Sequence, residues 1–200
     1  MLVLTMYNES EYRSSEWFES LAWQHHWIEK MAGWWVGSYG LPRHVVDFGC
    51  GDGWWVKSFH DMGSTTYGVE LDPIAKEYIP PQVNIFIEDL RSPIYLGARA
   101  DLVICLEVVE HLPREAENTV LKTITEHMGD LLIFSAAGPG QPGTGHINLH
   151  TQDYWMKRIE SFGKIRYSRH RTDQARAAFG NITNELFDFL PRNLMVFARI

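Results

Sequence analysis

Residues 47–55 read DFGCGDGWW. An acid stands two places before the first of three alternating glycines, and two tryptophans follow at once. With the preceding HVV, residues 44–49 form a short apolar run ending in glycine, as a buried strand does. WWVKSFHDMG then has helical spacing and stops at Gly63. In an open α/β sheet, a strand–glycine–helix turn lies at the carboxyl end of its strand, where ligands bind. Glycines let the backbone approach a ligand closely, and the helix N-terminus behind them presents free N–H groups. One glycine would suit a tight turn with no ligand. Three of them, with Asp47 in front, suit it poorly.

The same rhythm continues outward. TTYGVELD is β-branched and aromatic, PIAKEYI opens with proline as a helix can at its first position, and VNIFIED is a third strand. DLVICLEV, PREAENTVLKTITEHM and DLLIFSAA give strand, helix, strand. TQDYWMKRIESF has an N-cap in Thr151, and KIRYSRH and NLMVFARI close the chain as two strands without βαβ spacing between them. The reading is an α/β chain: a doubly wound, seven-stranded, mostly parallel sheet with helices on both faces. Trp17, Leu21, Ile28, Met31 and Trp35 recur at helical spacing, so residues 11–36 predict one amphipathic helix stopping near Gly37 and Gly40. This makes residues 1–40 a helical cap and residues 41–200 the main domain. Residues 136–150, AAGPGQPGTGHINLH, predict a loop after the fifth strand.

With 200 residues, 45% hydrophobic and 22% charged, the chain suits one soluble globular domain. A net charge of -7 argues against wholesale binding to nucleic acid or an anionic membrane. No apolar run reaches bilayer length, and MLVLTMYNES lacks the basic flank and cleavage site of a signal peptide. Cys50 and Cys105 sit in strand-like contexts and are expected to be reduced core thiols of a cytoplasmic protein.

The glycines also select the ligand. A dinucleotide fingerprint is G-x-G-x-x-G, whereas Gly49, Gly51 and Gly53 give G-x-G-x-G with Trp54 in the third glycine's place. Asp47 would sit awkwardly beside a pyrophosphate and suits a ligand with positive charge. S-adenosylmethionine carries a sulfonium and an ammonium and no phosphate. Glu70 ends the second strand, where an acid takes ribose hydroxyls, and Asp89 ends the third, where it can accept from an adenine amino group.

Taken together, VVDFGCGDG, GVELDP, EDL and ADLVICLEVVEHLP resemble the successive motifs of class I S-adenosylmethionine-dependent methyltransferases, over roughly residues 41–200. The resemblance implies a Rossmann-like sheet with the last strand antiparallel. It places the cofactor's methionine end on Asp47, Gly49, Gly51 and Gly53, and its ribose on Glu70 with Leu71 beside it. The adenine edge falls to Asp89 and Leu90, and the methionine amine to the backbone at Leu106. One of Trp54 and Trp55 is expected to pack the first helix on the sheet, and the other to wall the pocket.

Methyl transfer is a displacement at a strong electrophile, so the protein mainly aligns and desolvates. A hydroxyl acceptor also needs a base or a metal, whereas an amine need only be neutral. Glu107, Glu110 and His111 would share a helix face. They resemble the metal-binding E-x-x-E-H of ubiquinone-pathway and small-RNA 2′-O-methyltransferases; the second group adds a later histidine, and His146 stands in a comparable place. A divalent ion such as magnesium is thus one reading, and a structural helix start is the other. His146 and His111 are the catalytic candidates, with His146 as general base on a loop that closes over the acceptor. His150 is secondary, and His25 and His26 are expected to be exposed. Residues 157–176 carry seven cations against two acids, either a solvated edge or a patch for an anionic acceptor. The expectation is methyl transfer to oxygen or nitrogen of a small molecule. The alternatives are an RNA or protein acceptor, a non-catalytic cofactor-binding partner, or an NAD-dependent oxidoreductase, which the missing third glycine disfavours.

Overall fold

A computed structural model describes residues 14–200, apart from the side chain of Leu186; the readings made for residues 1–13 lie outside it. Seven strands form one sheet: β1 (His44–Phe48), β2 (Thr65–Glu70), β3 (Asn84–Ile87), β4 (Ala100–Leu106), β5 (Met128–Ser135), β6 (Ile165–Tyr167) and β7 (Met195–Arg199). Their order is β3-β2-β1-β4-β5-β7-β6. β1 pairs in parallel with β2 and β4, as β2 does with β3 and β4 with β5, while β7 runs antiparallel between β5 and β6. The chain starts mid-sheet, winds outward to β3, then returns beside β1 as β4. The strand order therefore reverses between β1 and β4, and the crevice beyond their carboxyl ends is the expected binding place.

Alternating strand residues feed two cores. Val46, Phe48, Val103, Cys105, Leu132 and Phe134 point to one face, under α4 (Glu117–His127) and α5 (Gln152–Glu160). Val45, Leu102, Ile104, Ile133 and Val196 point to the other, under α2 (His25–Tyr39), α3 (Trp54–Asp61) and α6 (Arg169–Ile182). Cys50 and Cys105 are buried and unpaired. No helix among the described residues is long and apolar enough to cross a membrane.

Three elements differ from the sequence reading. The single helix expected over residues 11–36 is α1 (Ser15–Leu21), a 3-10 turn (Ala22–Gln24) and α2. Ser14 caps α1 by accepting from Trp17 N, and Gly40, at φ 86°, ends α2 by donating to Val36 O at 2.9 Å. Ile28, Met31 and Trp35 are buried in the second core, so this cap packs directly on the sheet domain. PIAKEYI is only a 3-10 turn, Pro73–Glu77, capped by Asp72. Between β6 and β7 the chain builds α6, a 3-10 turn and α7 (Phe189–Asn193), where the sequence suggested no regular element.

Candidate functional site

β1 ends at Phe48, and the turn to α3 is tied to β2: Gly49 N and Cys50 N both donate to Val69 O, at 2.8 and 3.0 Å. Gly49 has φ 79°, and a Cβ there would run into Val108 of the segment after β4. Gly51 has φ 56°, and its N donates to Glu70 Oε2 at 2.9 Å. A Cβ on Gly51 would meet Leu21 at 3.2 Å, so α1 lies directly over this turn. The turn opens on a cavity of about 530 Å³.

Acids crowd this end. Asp47 and Asp52 are 3% and 6% exposed. Burial pushes Asp47 well above the usual carboxylate range, and the charges of Glu70 and Asp52 push it further. Burial also raises Asp52, against a hydrogen bond and the charge of His25. Burial raises Glu70 against backbone donors at Gly51, Asp72 and Leu71. Glu70 Oε1 accepts from Leu71 N (2.8 Å) and Asp72 N (3.3 Å). With Gly51 on Oε2, one lone pair remains for a ribose hydroxyl, rather than the two that bidentate binding needs. Carboxyls with raised pKa values at the mouth of a cavity are relieved by a cation, which suits a sulfonium–ammonium ligand.

Asp47, Gly49, Gly51, Leu106, His111 and His146 line the one cavity, together with Glu107. Gly53, Glu70, Leu71, Asp89 and Leu90 do not. Gly53 is the N-cap of α3, and Leu90 is buried in the first core. Asp89 accepts from Arg91 N at 2.8 Å and pairs with the Arg91 guanidinium at 2.8 Å, so it braces its own turn. Trp55 both packs in the second core and lines the cavity. Trp54 instead stacks on His25, centroids 3.6 Å apart and planes 3° apart. His25 Nε2 also meets Asp52 Oδ2 at 2.5 Å. His25 therefore latches the cap to the glycine turn and is not the plain surface residue its position suggested; His26 is exposed.

The far end of the cavity holds the second set of groups. Glu107, Glu110 and His111 do not share an α-helix face, because Glu107 has φ 55° and only Val109–His111 forms a 3-10 turn. The chain folds them together by other means. Ile147 N and Asn148 N donate to Glu110 O at 2.8 and 3.0 Å, which stitches the glycine-rich loop down. The loop is thus pinned at its base, and its exposed residues are Pro139, Gly140, Pro142, Gly143, Thr144 and Ile147. His146 Nδ1–H donates to Gln141 O at 3.2 Å, leaving Nε2 as a proton acceptor. The His111 and His146 rings lie 5.0 Å apart. Ligand atoms of Glu110, His111 and His146 all fall within 4.8 Å of one another. Burial, then the charge of His146, lowers His111 to about 4, so its ring is neutral at physiological pH. Burial and the charge of Glu107 hold Glu110 well above the usual carboxylate range. Glu110 Oε1 accepts from Ala137 N at 3.0 Å, while buried Oε2 has no hydrogen-bond partner of good geometry. His150 stacks on Tyr154 at 3.8 Å, away from the cavity lining.

Sequence reasoning missed one whole wall. Phe187, Phe189, Leu190 and Arg192 come from the segment before β7, facing Trp17, Leu21 and Ile28 of the cap. Beside them Asn193, 5% exposed, donates through Nδ2 to Glu107 Oε1 and Oε2 (3.2 Å each) and to Gln141 Oε1 (3.0 Å). The aromatic spacing in ELFDFL was the available signal. The basic residues 157–176 do not line the cavity. Arg158 pairs with buried Glu117 at 2.6 Å, and Arg176 donates to Leu194 O and Gln152 Oε1 at 2.8 Å each.

Known proteins carry the same architecture. The magnesium protoporphyrin IX methyltransferase of Synechocystis PCC 6803 with bound S-adenosylmethionine superposes with a TM-score of 0.63 at 20% identity, over 94% of this chain and 86% of that one. A TehB-like S-adenosylmethionine-dependent methyltransferase of Corynebacterium glutamicum gives 0.67 at 15% identity, over 93% and 99%. An amino pentose methyltransferase of Micromonospora echinaspora gives 0.58 at 17% identity, over 91% and 96%. Identities this low carry the fold and say nothing of the acceptor. No curated protein sequence matches the chain. The methyltransferase-domain family matches residues 11–177, most of the chain. With the glycine turn, the strand order and the cavity as described, the chain belongs to the class I S-adenosylmethionine-dependent methyltransferases.

Proposed function

We propose that this methyltransferase transfers its methyl group to an oxygen or nitrogen of a small molecule with an apolar body. One observation carries the reading. A single cavity of about 530 Å³ has the glycine turn and Asp47 at one end, His146 and Glu107 at the other, and apolar walls between. S-adenosylmethionine supplies the electrophilic methyl. Asp47, the Gly49–Gly51 turn and the Leu106 backbone would hold its methionine end, and Glu70 one ribose hydroxyl. The placement of Asp89 and Leu90 against the adenine remains part of the proposal. Trp17, Leu21, Phe187 and Phe189 exclude water and align the acceptor. His146 Nε2, with Nδ1 held by Gln141, takes the proton of a hydroxyl nucleophile. Among the described residues lining the cavity, Arg192 is the one arginine or lysine, and it pairs with Asp188 at 2.5 Å. The lining therefore favours a neutral or cationic acceptor over an anionic one. Two buried, unpaired cysteines suit a reducing compartment such as the cytoplasm.

Production of S-adenosylhomocysteine across a panel of small hydroxyl and amine compounds, with RNA and protein as controls, tests the reading. His146→Ala should lower hydroxyl turnover by about 10²–10⁴-fold with cofactor affinity unchanged. Unchanged turnover would reduce this histidine to a structural role and leave amines as the acceptor class.

A second reading adds a divalent ion. A neutral His111, His146 and the unpartnered Glu110 Oε2 are a two-imidazole, one-carboxylate donor set, which suits manganese, iron or zinc better than magnesium. An ion there would act as a Lewis acid toward a hydroxyl acceptor. Full turnover in the presence of a chelator would end that reading.

A further inference from the structure

The two helices of the cap are held in different ways. Ile28, Met31 and Trp35 root α2 in the second core, whereas α1 contributes no residue to the hydrophobic cores of the sheet domain. Between them lies the 3-10 turn Ala22–Gln24. That turn is fixed from behind. His25 Nε2 meets Asp52 Oδ2 at 2.5 Å and its ring stacks on Trp54, while Trp23 and Trp27 pack on Phe187 with centroids 5.6 and 5.7 Å away. In front of the turn, α1 crosses the carboxyl end of the sheet. Leu21 lies over Gly51, and Trp17 and Leu21 both line the cavity. Further along, Phe18 is 1% exposed and stacks on Tyr78, centroids 5.5 Å and planes 9° apart. Tyr78 follows the Pro73–Glu77 turn after β2, so α1 reaches from the glycine turn to the β2 side of the crevice. Gly51 and Glu70, which α1 passes between these two points, are bonded to each other at 2.9 Å. A helix of seven residues is marginal by itself and stays in place by its tertiary contacts.

Resting on the methyl-transfer reading above, we propose that α1 is a hinged strap over the cofactor turn. It lifts about Ala22–Gln24 to let S-adenosylmethionine in and S-adenosylhomocysteine out, and it shuts by seating Phe18 on Tyr78. Phe18 is the clasp. His25 is the positioning residue of the hinge, because it ties the hinge to Asp52 and Trp54 of the same turn that seats the cofactor. When shut, the strap closes the cavity with Trp17 and Leu21 and excludes water. One aromatic pair shifts an equilibrium by only about 2- to 10-fold, so the clasp is weak enough to open in every catalytic cycle.

Stopped-flow binding of S-adenosylhomocysteine to the full chain tests the strap. A gate limits entry, so loosening it speeds association as well as release, whereas loosening a fixed wall alters release alone. Phe18→Ala should raise both rates by about 2- to 10-fold and leave Kd within about threefold. His25→Ala should also raise both rates, and His25→Gln, whose amide can donate to Asp52, should bring them back toward the wild type. Hydrogen exchange shows whether the effect is local: amides of residues 15–24 should exchange faster in Phe18→Ala while those of β1 and β4 keep their rates. If Phe18→Ala loses protection throughout, the His25 pair decides. A wild type that does not bind S-adenosylhomocysteine overturns the methyl-transfer reading itself. A wild type that binds it, with an association rate that neither Phe18→Ala nor His25→Ala changes, overturns the strap alone. So do wild-type amides in residues 15–24 as well protected as those of β1.

Discussion

Cofactor binding should release protons, and its affinity should climb with pH. The reason lies in Asp47, Asp52 and Glu70, three carboxyls raised by burial at the glycine turn. The groups facing them are His25 on Asp52, Asp72 beside Glu70, and the buried Cys50 thiol. The ordinary values are 3.8 for the aspartates and 4.5 for the glutamate, and the folded values lie above them. Between the two, the unliganded fold holds more protons than the unfolded chain. Stability from these groups is therefore fully present below the ordinary values and is lost as pH rises through the folded ones. A ligand ammonium beside Asp47 favours the ionised form, so binding expels the proton. One proton released gives a tenfold gain in affinity per pH unit, or about 1.4 kcal/mol. Calorimetry with S-adenosylhomocysteine from about pH 5 to 8, in buffers of differing ionisation heat, reads both slope and proton count. Asp47→Asn should flatten the slope. Affinity that does not change with pH, with no proton released in the wild type, would refute the electrostatic reasoning.

Two further outcomes follow from strain and burial. Glu107→Gly relieves about 1 kcal/mol of left-handed strain but leaves the buried Asn193 amide without its carboxylate, a loss of about 1–3 kcal/mol, so thermal stability should fall; an unchanged or raised melting temperature would show that the strain outweighs the contacts. Glu117→Ala removes the partner of Arg158 and of the Tyr154 hydroxyl, bonded at 2.6 and 2.8 Å. It should cost about 1–3 kcal/mol in denaturant unfolding. The Arg158 side chain, 29% exposed, can recover water and keeps the loss at the lower end. Cofactor affinity should be unchanged, because this network lies outside the cavity lining.

What could be read from the sequence was local. DFGCGDG states its own geometry, since a strand, positive-φ glycines and a helix start are all set within a few residues. The antiparallel β7 was expected because KIRYSRH and NLMVFARI showed no βαβ spacing; the direction holds, but the reason does not, since α6 and α7 lie between the two strands. The elements that were missed have weak local signals. α6 buries only Thr172, Ala175 and Phe179 in a charged stretch, too narrow a stripe to stand out. Placing Glu107 on a helix failed because its backbone turns left-handed straight after β4, a conformation that only Ser135 and Asn193 make tenable. Contacts across the chain were invisible: Asn193 to Glu107 spans 86 positions, and His25 to Asp52 spans 27. The anionic-acceptor patch came from counting charge along residues 157–176, but folding sends Arg158 to Glu117, Arg176 to Gln152 and the Leu194 carbonyl, Arg166 to the Ile165 carbonyl, and Arg171 to Ser168 and the Tyr39 ring.

Titration calorimetry with S-adenosylhomocysteine reads whether the glycine turn seats S-adenosylmethionine. The wild type should bind one equivalent and show no heat with NAD. Gly51→Val should abolish binding while the protein stays folded, because a side chain there fills the ligand's space and strains a φ of 56°. Glu70→Ala should weaken binding by about 1–3 kcal/mol, through the lost ribose contact and the unbraced Gly51 amide. Undiminished binding in a folded Gly51→Val protein, or a wild type that binds NAD in place of S-adenosylhomocysteine, would contradict the account.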